Sequence, residues 1–437
     1  MIKKILKNLS LVDRILFGLA LILLPLGFLI KLSTQAIIEA QASTLVFTQW
    51  WQDELKDDTL TRMVSEFESS NPGIIIKLEH LSYQKMEDRL LKGVPDEIRR
   101  SDILAVDPRW LYELIRQDML KPLNPYLNPY IEKMKTGENR MFIPGLPADS
   151  PQGSEAVWAI PVVASMIPLF YNVEVLQAAG FDRPPKNRAD FLHYARTITN
   201  SSPGRFGVAL ALSSEDPDSL YVDVYPWIWA AGGSMLQDGK PNFINPPIRE
   251  TLGFLDTLYR EGSLSPDLFV KTREQKLEEF ARGTIGMMLA SVRDIHTLQQ
   301  QMEDGAFGIT VIPGLDMSRK PVFGLTSWYI GISRYSTYQD QAWAFMSFLA
   351  ERSSRLAIAS HAVPGNWSGM RSLKGDLYTK AYDMYEGGEV MQEFIGTPQV
   401  HSLETIVREE LYTMFTQGRE PAATAASIQK QWEETLP

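Results

Sequence analysis

The sequence predicts an α/β fold of two lobes, each a mixed sheet flanked by helices, with a helical C-terminal region. Three observations carry this prediction. Strands alternate with helices from Ser43 onward, a proline-rich stretch at 120–155 interrupts the alternation before it restarts, and from Ser336 the pattern is almost all helical. Strands that alternate with helices of roughly 10 to 15 residues are typical of βαβ units and a mainly parallel sheet.

The first lobe is predicted from the elements that open it. The segment STLVFTQWW (43–51) predicts a strand, and the helix that follows ends at 71–73, directly before a second strand at 74–78. The apolar segment 102–106 predicts a third strand, and Pro108 lies in the first turn of the next helix, where proline is tolerated. These elements give the strand–helix order of one lobe.

The second lobe is predicted where the alternation resumes. Extended sequence at 157–172 precedes a helix capped by Asn187, and the segment 206–212 predicts a buried strand. An amphipathic helix at 247–262 begins with proline and ends with glycine. Further strands are predicted between 285 and 333, so a second sheet is expected.

The N-terminal segment predicts export. Residues 15–30 are uncharged and mostly apolar, and basic residues precede them, which favours an N-in, C-out orientation. The apolar run lies between the usual lengths of a signal-peptide core and of a spanning helix. Ala40-Gln41-Ala42 fits a cleavage site but lies far from the apolar run. Residues 1–42 are therefore predicted to be a signal peptide or an uncleaved anchor, with the rest of the chain at the outer face of the cytoplasmic membrane.

Composition excludes several classes of protein. The formal net charge is −10 and no Lys/Arg run occurs, which argues against a nucleic-acid partner. The sequence has no cysteine, which excludes disulfides, thiolate metal sites, cysteine nucleophiles and attachment of lipid through cysteine. The five histidines are far apart, and none forms an H-x-x-x-H pair, so no metal site is predicted.

The sequence also lacks a recognisable catalytic motif. It contains no G-x-S-x-G, H-E-x-x-H, Walker A or dinucleotide-binding pattern, so no catalytic residue and no cofactor is predicted. A pair of carboxylates of the kind used by glycosidases remains an alternative. The acidic cluster Glu215, Asp216 and Asp218 lacks the spacing of a calcium loop and is predicted to be a solvated loop.

Several aromatic residues are predicted to lie where strands end. In open α/β sheets, ligands bind outside the carboxyl ends of the strands, so aromatics placed there are expected to line a site. Flat aromatic faces suit sugar rings, and neighbouring polar side chains suit hydroxyl groups. The aromatic candidates are Trp50, Trp51, Trp110, Tyr171, Trp227 and Trp229, and the polar candidates are Gln49, Asp107 and Arg109.

The ordered segments of the chain resemble a known family. These segments include LVFTQWW, FESSNPGIIIKL, DMLKPLNPYL, WAAGGSMLQDGKPNF, FGITVIPG and FGLTSWYIGIS, and the resemblance covers nearly everything from Ser43. In their order and spacing they resemble extracellular solute-binding protein family 1, which includes maltose-binding protein and supplies the capture subunits of sugar ABC importers. The resemblance implies a two-lobe periplasmic binding protein fold of type II.

The resemblance also implies lobe boundaries and site residues. It implies that residues 43–164 and 308–350 form the first lobe, that 165–307 and 351–437 form the second, and that the lobes close on a carbohydrate delivered to an ABC permease. The ligand-binding residues implied are Gln49, Trp50, Trp51, Asp107, Arg109, Trp110, Tyr171, Trp227, Trp229, Gly232, Arg293 and Trp328.

The sequence departs from the family pattern after one second-lobe strand. Where the family often has glycine and then tryptophan, this chain has Ala290-Ser291-Val292-Arg293. Arg109 and Arg293 could then together hold a carboxylate or phosphate, so the charge of the ligand stays open. A carbohydrate-active enzyme on a two-lobe scaffold and a sensor partner that presents ligand to a receptor remain the alternatives.

Overall fold

A computed structural model describes residues 42–55, 58–91, 99–127, 156–315, 318–364, 373–391 and 393–436. The strands are β1 (Ser43–Gln49), β2 (Ile74–His80), β3 (Ile103–Val106), β4 (Ile160–Ile167), β5 (Leu169–Asn172), β6 (Phe206–Val208), β7 (Leu236–Gln237), β8 (Lys240–Pro241), β9 (Ile285–Leu289), β10 (Phe307–Thr310), β11 (Val322–Ile332), β12 (Val363–Pro364) and β13 (Glu389–Met391).

The α-helices of the described residues are α1 (Thr59–Ser70), α2 (Tyr83–Leu91), α3 (Leu111–Arg116), α4 (Asn124–Leu127), α5 (Val173–Ala178), α6 (Arg188–Ser201), α7 (Ser219–Asp223), α8 (Tyr225–Ala230), α9 (Pro246–Arg260), α10 (Arg273–Ala281), α11 (Asp294–Gln299), α12 (Gln339–Glu351), α13 (Ser353–Ala359), α14 (Asp376–Gly387), α15 (Val400–Gln417) and α16 (Pro421–Thr435). Short 3₁₀ turns follow β1 at Trp51–Asp53 and β3 at Pro108–Trp110.

A seven-stranded mixed sheet forms the first lobe. Its strand order is β12-β4-β11-β3-β1-β2, and β13 pairs with β11. Strand β1 runs parallel to β2 and β3, whereas β11 runs antiparallel to β3 and β4. Every residue of β3 and β4 is buried, which explains their continuous apolar sequence. The parallel strands β1 and β3 therefore end at the same edge of the sheet, where the 3₁₀ turns begin.

A four-stranded mixed sheet forms the second lobe. Its order is β10-β5-β9-β6, with β5 antiparallel to both neighbours and β6 parallel to β9. The predicted helix cap is confirmed, because the Asn187 side chain accepts a hydrogen bond from the Asp190 amide at 2.8 Å. The predicted two-lobe α/β class is thus what the chain adopts. The strand predicted at 206–212 is shorter than expected and ends at Val208.

Sheet membership differs from the expected lobe boundaries at two points. Strand β10 pairs with β5 up to Thr310, so the chain remains in the second sheet beyond the expected crossing at 308. Strands β12 and β13 follow residue 351, yet β12 pairs with β4 and β13 pairs with β11 of the first sheet. The first crossing lies at Pro168, between β4 and β5, close to its expected place. The division into lobes by residue range otherwise stays a prediction.

The C-terminal region is mainly helical: α12 and α13 pack in the first-lobe core, whereas α15 and α16 cover the second lobe. Trp432 of α16 is fully buried, packs against the Phe243 ring with centroids 4.6 Å apart and donates to the Leu403 carbonyl. The expectation of an almost wholly helical region after Ser336 was too simple, since β12 and β13 interrupt it. No helix within the described ranges is long and apolar enough to cross a membrane, and the predicted signal or anchor lies outside those ranges.

Candidate functional site

A cavity of about 410 Å³ lies between the two lobes. We call it the first cavity. The first lobe contributes the turns after β1 and β3 together with the middle of β11, and the second lobe contributes the segments around α7, α10 and α11. Its lining includes Trp50, Glu54, Tyr83, Asp107, Arg109, Asp216, Asp218, Tyr221, Thr272, Glu274, Ser291, Arg293, Thr326, Trp328 and Phe394.

Aromatic side chains form one wall of the first cavity. Trp50 packs edge-on against Tyr83 and Trp110, each with ring centroids 5.4 Å away. Trp328 on β11 stacks on Trp51 with centroids 5.3 Å apart and planes inclined by 13°. These rings gather at the carboxyl ends of β1 and β3, as the strand-end argument predicts. The wall offers flat apolar surface beside polar groups.

Arg109 connects the two lobes at the cavity. Its side chain binds both oxygens of Asp107 in its own lobe at 2.9 and 2.7 Å. It also donates to two acceptors of the second lobe, Asp218 Oδ1 at 2.7 Å and the Pro217 carbonyl at 2.9 Å. The surrounding carboxylates, Asp107 foremost, outweigh burial and hold the pKa of Arg109 above its ordinary range. Its donors are thus directed to protein acceptors of both lobes.

Arg293 makes a second connection between the lobes. Its guanidinium group pairs with Glu54 of the first lobe and also donates to the Ser360 carbonyl at 3.3 Å. The same group lies 5.1 Å from the centroid of the Trp328 ring, a cation–π distance. We call Arg109–Asp218 and Arg293–Glu54 the inter-lobe bridges. Both arginines are paired with carboxylates, so the hypothesis that they jointly hold an anionic ligand is not supported by their contacts.

Two acidic side chains near Arg109 have pKa values above their ordinary values. Burial raises the pKa of Asp218 to about 6, although Arg109 opposes the shift. Burial likewise raises the pKa of Glu404, on α15, to about 7, with Arg109 again opposing. The charged form of each carboxylate is therefore less stable here than in water.

We expect Glu404 to contribute a fall in the free energy of unfolding as the pH rises from about 4 to about 7. The folded-state pKa values of Glu404 and Asp218 lie above their ordinary values of 4.5 and 3.8, so in this window the folded chain binds more protons than the unfolded chain. The resulting stabilisation is present at low pH and lost as the pH passes the raised pKa values. Urea unfolding of the wild type and of Glu404→Gln across this window should show a shallower dependence in the variant. An unchanged or steeper dependence would show that Glu404 does not contribute.

Five of the implied ligand residues line the first cavity: Trp50, Asp107, Arg109, Arg293 and Trp328. Trp51 lies behind Trp328 as its stacking partner. Gln49 is fully buried, and its amide exchanges hydrogen bonds with Gln52, both at 3.1 Å. Trp110 packs against Trp50 and lines a different cavity, which lies between α2 and the start of α15.

The four remaining implied residues are absent from the described lining of the first cavity. Their positions correct the expectation that they line the ligand site. Trp227 and Trp229 belong to helix α8 instead of a strand end, and both are buried in the second-lobe core. Tyr171 is half-buried on β5, opposite Gly308. Gly232 has a φ of 81°, and Arg319 packs where a β-carbon would stand, so its role is conformational.

Several lining residues were not anticipated. Asp216 and Asp218 come from the cluster predicted to be a solvated loop, yet Asp218 binds Arg109 across the lobes. Tyr83 donates to Asp107 at 3.0 Å and so fixes the carboxylate that holds Arg109. The close spacing of these carboxylates distinguishes the segment in the sequence. The partner of Asp218, Arg109, is distant in sequence, so local spacing does not predict their contact. Within the described ranges, no group of three or more His, Asp or Glu side chains is placed to hold a metal ion.

Two sheets joined by crossings, with a cavity between the lobes, define a two-lobe ligand-binding protein. The family model for bacterial extracellular solute-binding proteins matches residues 51–354. The chain belongs to this family, which confirms the resemblance read from the ordered segments. Putative binding proteins of Brucella abortus (strain 2308) and Brucella suis biovar 1 (strain 1330) are each 22% identical over 321 residues, covering 73% of this chain and 74% of theirs.

Solved structures share the fold. The sugar-binding protein MalE from Xanthomonas citri superposes with a TM-score of 0.73 at 19% identity, covering 90% of this chain and 97% of that one. Maltose-bound MalE3 of T. maritima gives 0.70 at 16% identity, covering 90% and 100%. A solute-binding protein of an ABC transporter from Agrobacterium radiobacter K84, in complex with ribitol, gives 0.70 at 19% identity, covering 90% and 98%. These similarities establish the two-lobe architecture.

Proposed function

We propose that this chain is the extracytoplasmic solute-binding component of an ABC importer, and that it captures a carbohydrate in the first cavity and delivers it to a membrane permease. The observation that carries the proposal is the cavity between the lobes, where Trp50, Tyr83, Tyr221 and Trp328 stand among carboxylates and hydroxyl groups. Such a mixture suits the apolar faces and hydroxyl edges of sugars. Structural neighbours in complex with maltose and with ribitol add support.

Lobe closure is the proposed capture step. The inter-lobe bridges join groups that separate when the lobes open, so they favour the closed arrangement. A ligand that contacts both lobes adds interactions available only in that arrangement and shifts the equilibrium toward it. Residues 1–42 would direct export and, if uncleaved, hold the chain at the membrane. The permease would bind the closed form.

Binding without catalysis fits the cavity better than the enzyme alternative. Asp107 and Asp218 are hydrogen-bonded to Arg109, and Glu54 is paired with Arg293. These carboxylates are acceptors for protein cations, and the pairs made by Asp218 and Glu54 join the lobes. A thermal-shift screen of the full chain against sugars, polyols, amino acids and peptides tests the class of ligand. A carbohydrate at a hundred times its Kd should stabilise by about 2.7 kcal/mol; stabilisation by an amino acid or peptide alone would overturn the proposal.

Replacing Trp328 with leucine should weaken carbohydrate binding about 5- to 150-fold, which corresponds to about 1–3 kcal/mol. Trp328 lines the first cavity and contacts Trp51 and Arg293, so the change removes an aromatic face of the site. Isothermal titration with the sugar found in the screen measures the loss. Trp343→Leu is the matched control, because Trp343 is half-buried and stacks on Tyr126 instead. Equal affinities of the two variants would remove Trp328 from the site.

A further inference from the structure

The charge of the first cavity narrows the class of carbohydrate that the proposed function, on which this assignment rests, places there. Its lining holds six carboxylate side chains and three guanidinium groups, so acidic groups predominate. The carboxylates belong to Glu54, Asp107, Glu215, Asp216, Asp218 and Glu274, and the guanidinium groups to Arg109, Arg273 and Arg293. The ligand that this lining favours depends on which of these groups protein partners leave available.

The guanidinium groups of the lining are engaged by protein carboxylates. The inter-lobe bridges engage two of them. The third, on Arg273, pairs with the buried Asp294 and with Glu274, the latter at 3.3 Å. A sugar acid or sugar phosphate would have to displace a protein carboxylate to gain a cation, and it would then lie among the other acidic groups. The lining therefore disfavours an anionic ligand.

Asp216 carries a carboxylate oxygen that is available to a ligand. Asp216 is half-buried and lines the first cavity from the second lobe. Its Oδ1 atom accepts a hydrogen bond from the Asp218 amide at 2.9 Å. Its Oδ2 atom accepts none from a described residue and is not among the buried atoms, so it keeps accessible surface. This oxygen is free to accept a donor from the cavity.

The charge of Asp216 is incompletely compensated by the protein. Burial raises the pKa of Asp216 above its ordinary value, and this effect outweighs the opposing effects of the Asp218 amide and of Lys276. The Lys276 ammonium group is already bound to both carboxylate oxygens of Asp223, at 2.7 and 2.6 Å. A cationic donor in the cavity would stabilise the charged form of Asp216 by a charge-assisted hydrogen bond, which is stronger than a neutral one.

The first lobe faces this carboxylate with an aromatic wall. Trp50 and Trp328 line the cavity from the first lobe, and Asp216 lines it from the second. A sugar ring stacked on the aromatic wall presents its edge substituents to the rest of the lining. We propose that the first cavity selects an amino sugar, a sugar that carries an ammonium group, with Asp216 as the partner of that group. Its ring contacts one lobe and its ammonium group the other, so the ligand favours closure.

Calorimetric titration of the full chain with matched sugars tests this selectivity. One set is glucosamine, glucose and glucuronate, another is galactosamine, galactose and galacturonate, and deacetylated chitobiose with cellobiose supplies a pair with two rings. The titrations are run at about pH 6.5, below the pKa of an amino group. We expect at least one amino sugar to bind on the order of tenfold more tightly than its neutral parent, and the sugar acids to bind more weakly than that parent.

Replacing Asp216 with asparagine should remove the preference for the amino sugar. Asp216→Asn keeps an oxygen that can accept the Asp218 amide but loses the negative charge. The ratio of amino-sugar to neutral-sugar affinity should therefore fall to about one. Glu215→Gln is the matched control, because Glu215 is the adjacent residue, lines the same cavity and is exposed. Its charge is screened by solvent, so the ratio should change less than about threefold.

Two results would overturn the proposal. They are amino sugars that bind no more tightly than their neutral parents in every set, and an unchanged preference in a folded Asp216→Asn variant. An equal loss of preference in Glu215→Gln would contradict the assignment to Asp216. If Asp216→Asn does not fold, the wild-type comparison remains decisive. If none of these sugars binds and another carbohydrate does, the amino-sugar preference is refuted and the proposed function stands; if no carbohydrate binds, the proposed function fails.

Discussion

Replacing Lys276 with methionine should lower the free energy of unfolding by about 3–5 kcal/mol. Lys276 and Asp223 are each 1% exposed, and the ammonium group binds both carboxylate oxygens, at 2.7 and 2.6 Å. The ammonium also donates to the Leu289 carbonyl at 2.9 Å, and Asp223 accepts the Ala211 amide. Removing the lysine leaves a buried carboxylate without its cation, which is the costly case.

Urea unfolding of the two proteins measures the Lys276 effect. Lys430→Met is the control, because Lys430 is exposed and its pair with Glu434 spans one helical turn, a contact worth less than about 1 kcal/mol. The double change Lys276→Met with Asp223→Leu should recover part of the loss, since no unpaired charge then remains buried. A loss below about 1 kcal/mol for the single change would contradict this account of the pair. The pair joins α7 to α10, which both border the first cavity.

Replacing Trp227 with alanine should cost about 3–5 kcal/mol of stability and leave the affinity for carbohydrate unchanged. Trp227 is 1% exposed, packs against the Phe191 and Phe254 rings at 4.9 and 5.0 Å, and lies outside the described lining of the first cavity. Trp227 is among the implied ligand-binding residues, but its burial in the second-lobe core predicts an effect on stability instead. The deleted ring would leave a void in the second-lobe core.

Denaturant unfolding and calorimetric titration of the same Trp227→Ala preparation separate the two effects. Trp343→Ala is the control for stability, because Trp343 is half-buried and loses less packing. A large loss of affinity without loss of stability would place Trp227 in the site and refute its assignment to the core. The contrast with Trp328→Leu, which should lose affinity, distinguishes core tryptophans from cavity tryptophans.

The sequence predicts the fold and part of the site. Some of these predictions rest on local sequence patterns and others on the position of a residue relative to a strand. The Asn187 cap and the burial of β3 follow from local pattern, because capping and apolar runs act over a few residues. Trp50 was placed correctly in the cavity because it follows a parallel strand. Trp227 was not, since Pro226 in the first turn begins helix α8, which carries the ring into the core.

The parts of the site that were missed depend on contacts between distant segments. The sequence predicts a solvated loop around Asp218, and only the approach of the lobes brings this carboxylate to Arg109. Arg293 lines the first cavity as expected, but its pairing with Glu54 was not predicted, because Glu54 comes from the opposite lobe. Such pairings are set by how the lobes meet, which local sequence patterns do not encode.

The most direct test of the central claim is the distance between the lobes with and without carbohydrate. The chain contains no cysteine, so cysteines introduced at Ser69 on α1 and Asn200 on α6, both exposed, can carry spin labels without ambiguity. Double electron–electron resonance on the doubly labelled full chain then reports the separation of the lobes. Capture by closure predicts that the carbohydrate found in the thermal-shift screen moves the distance distribution toward a single, closed population, and that Trp328→Leu requires more sugar to do so. A distribution that stays the same at saturating carbohydrate would contradict the claim.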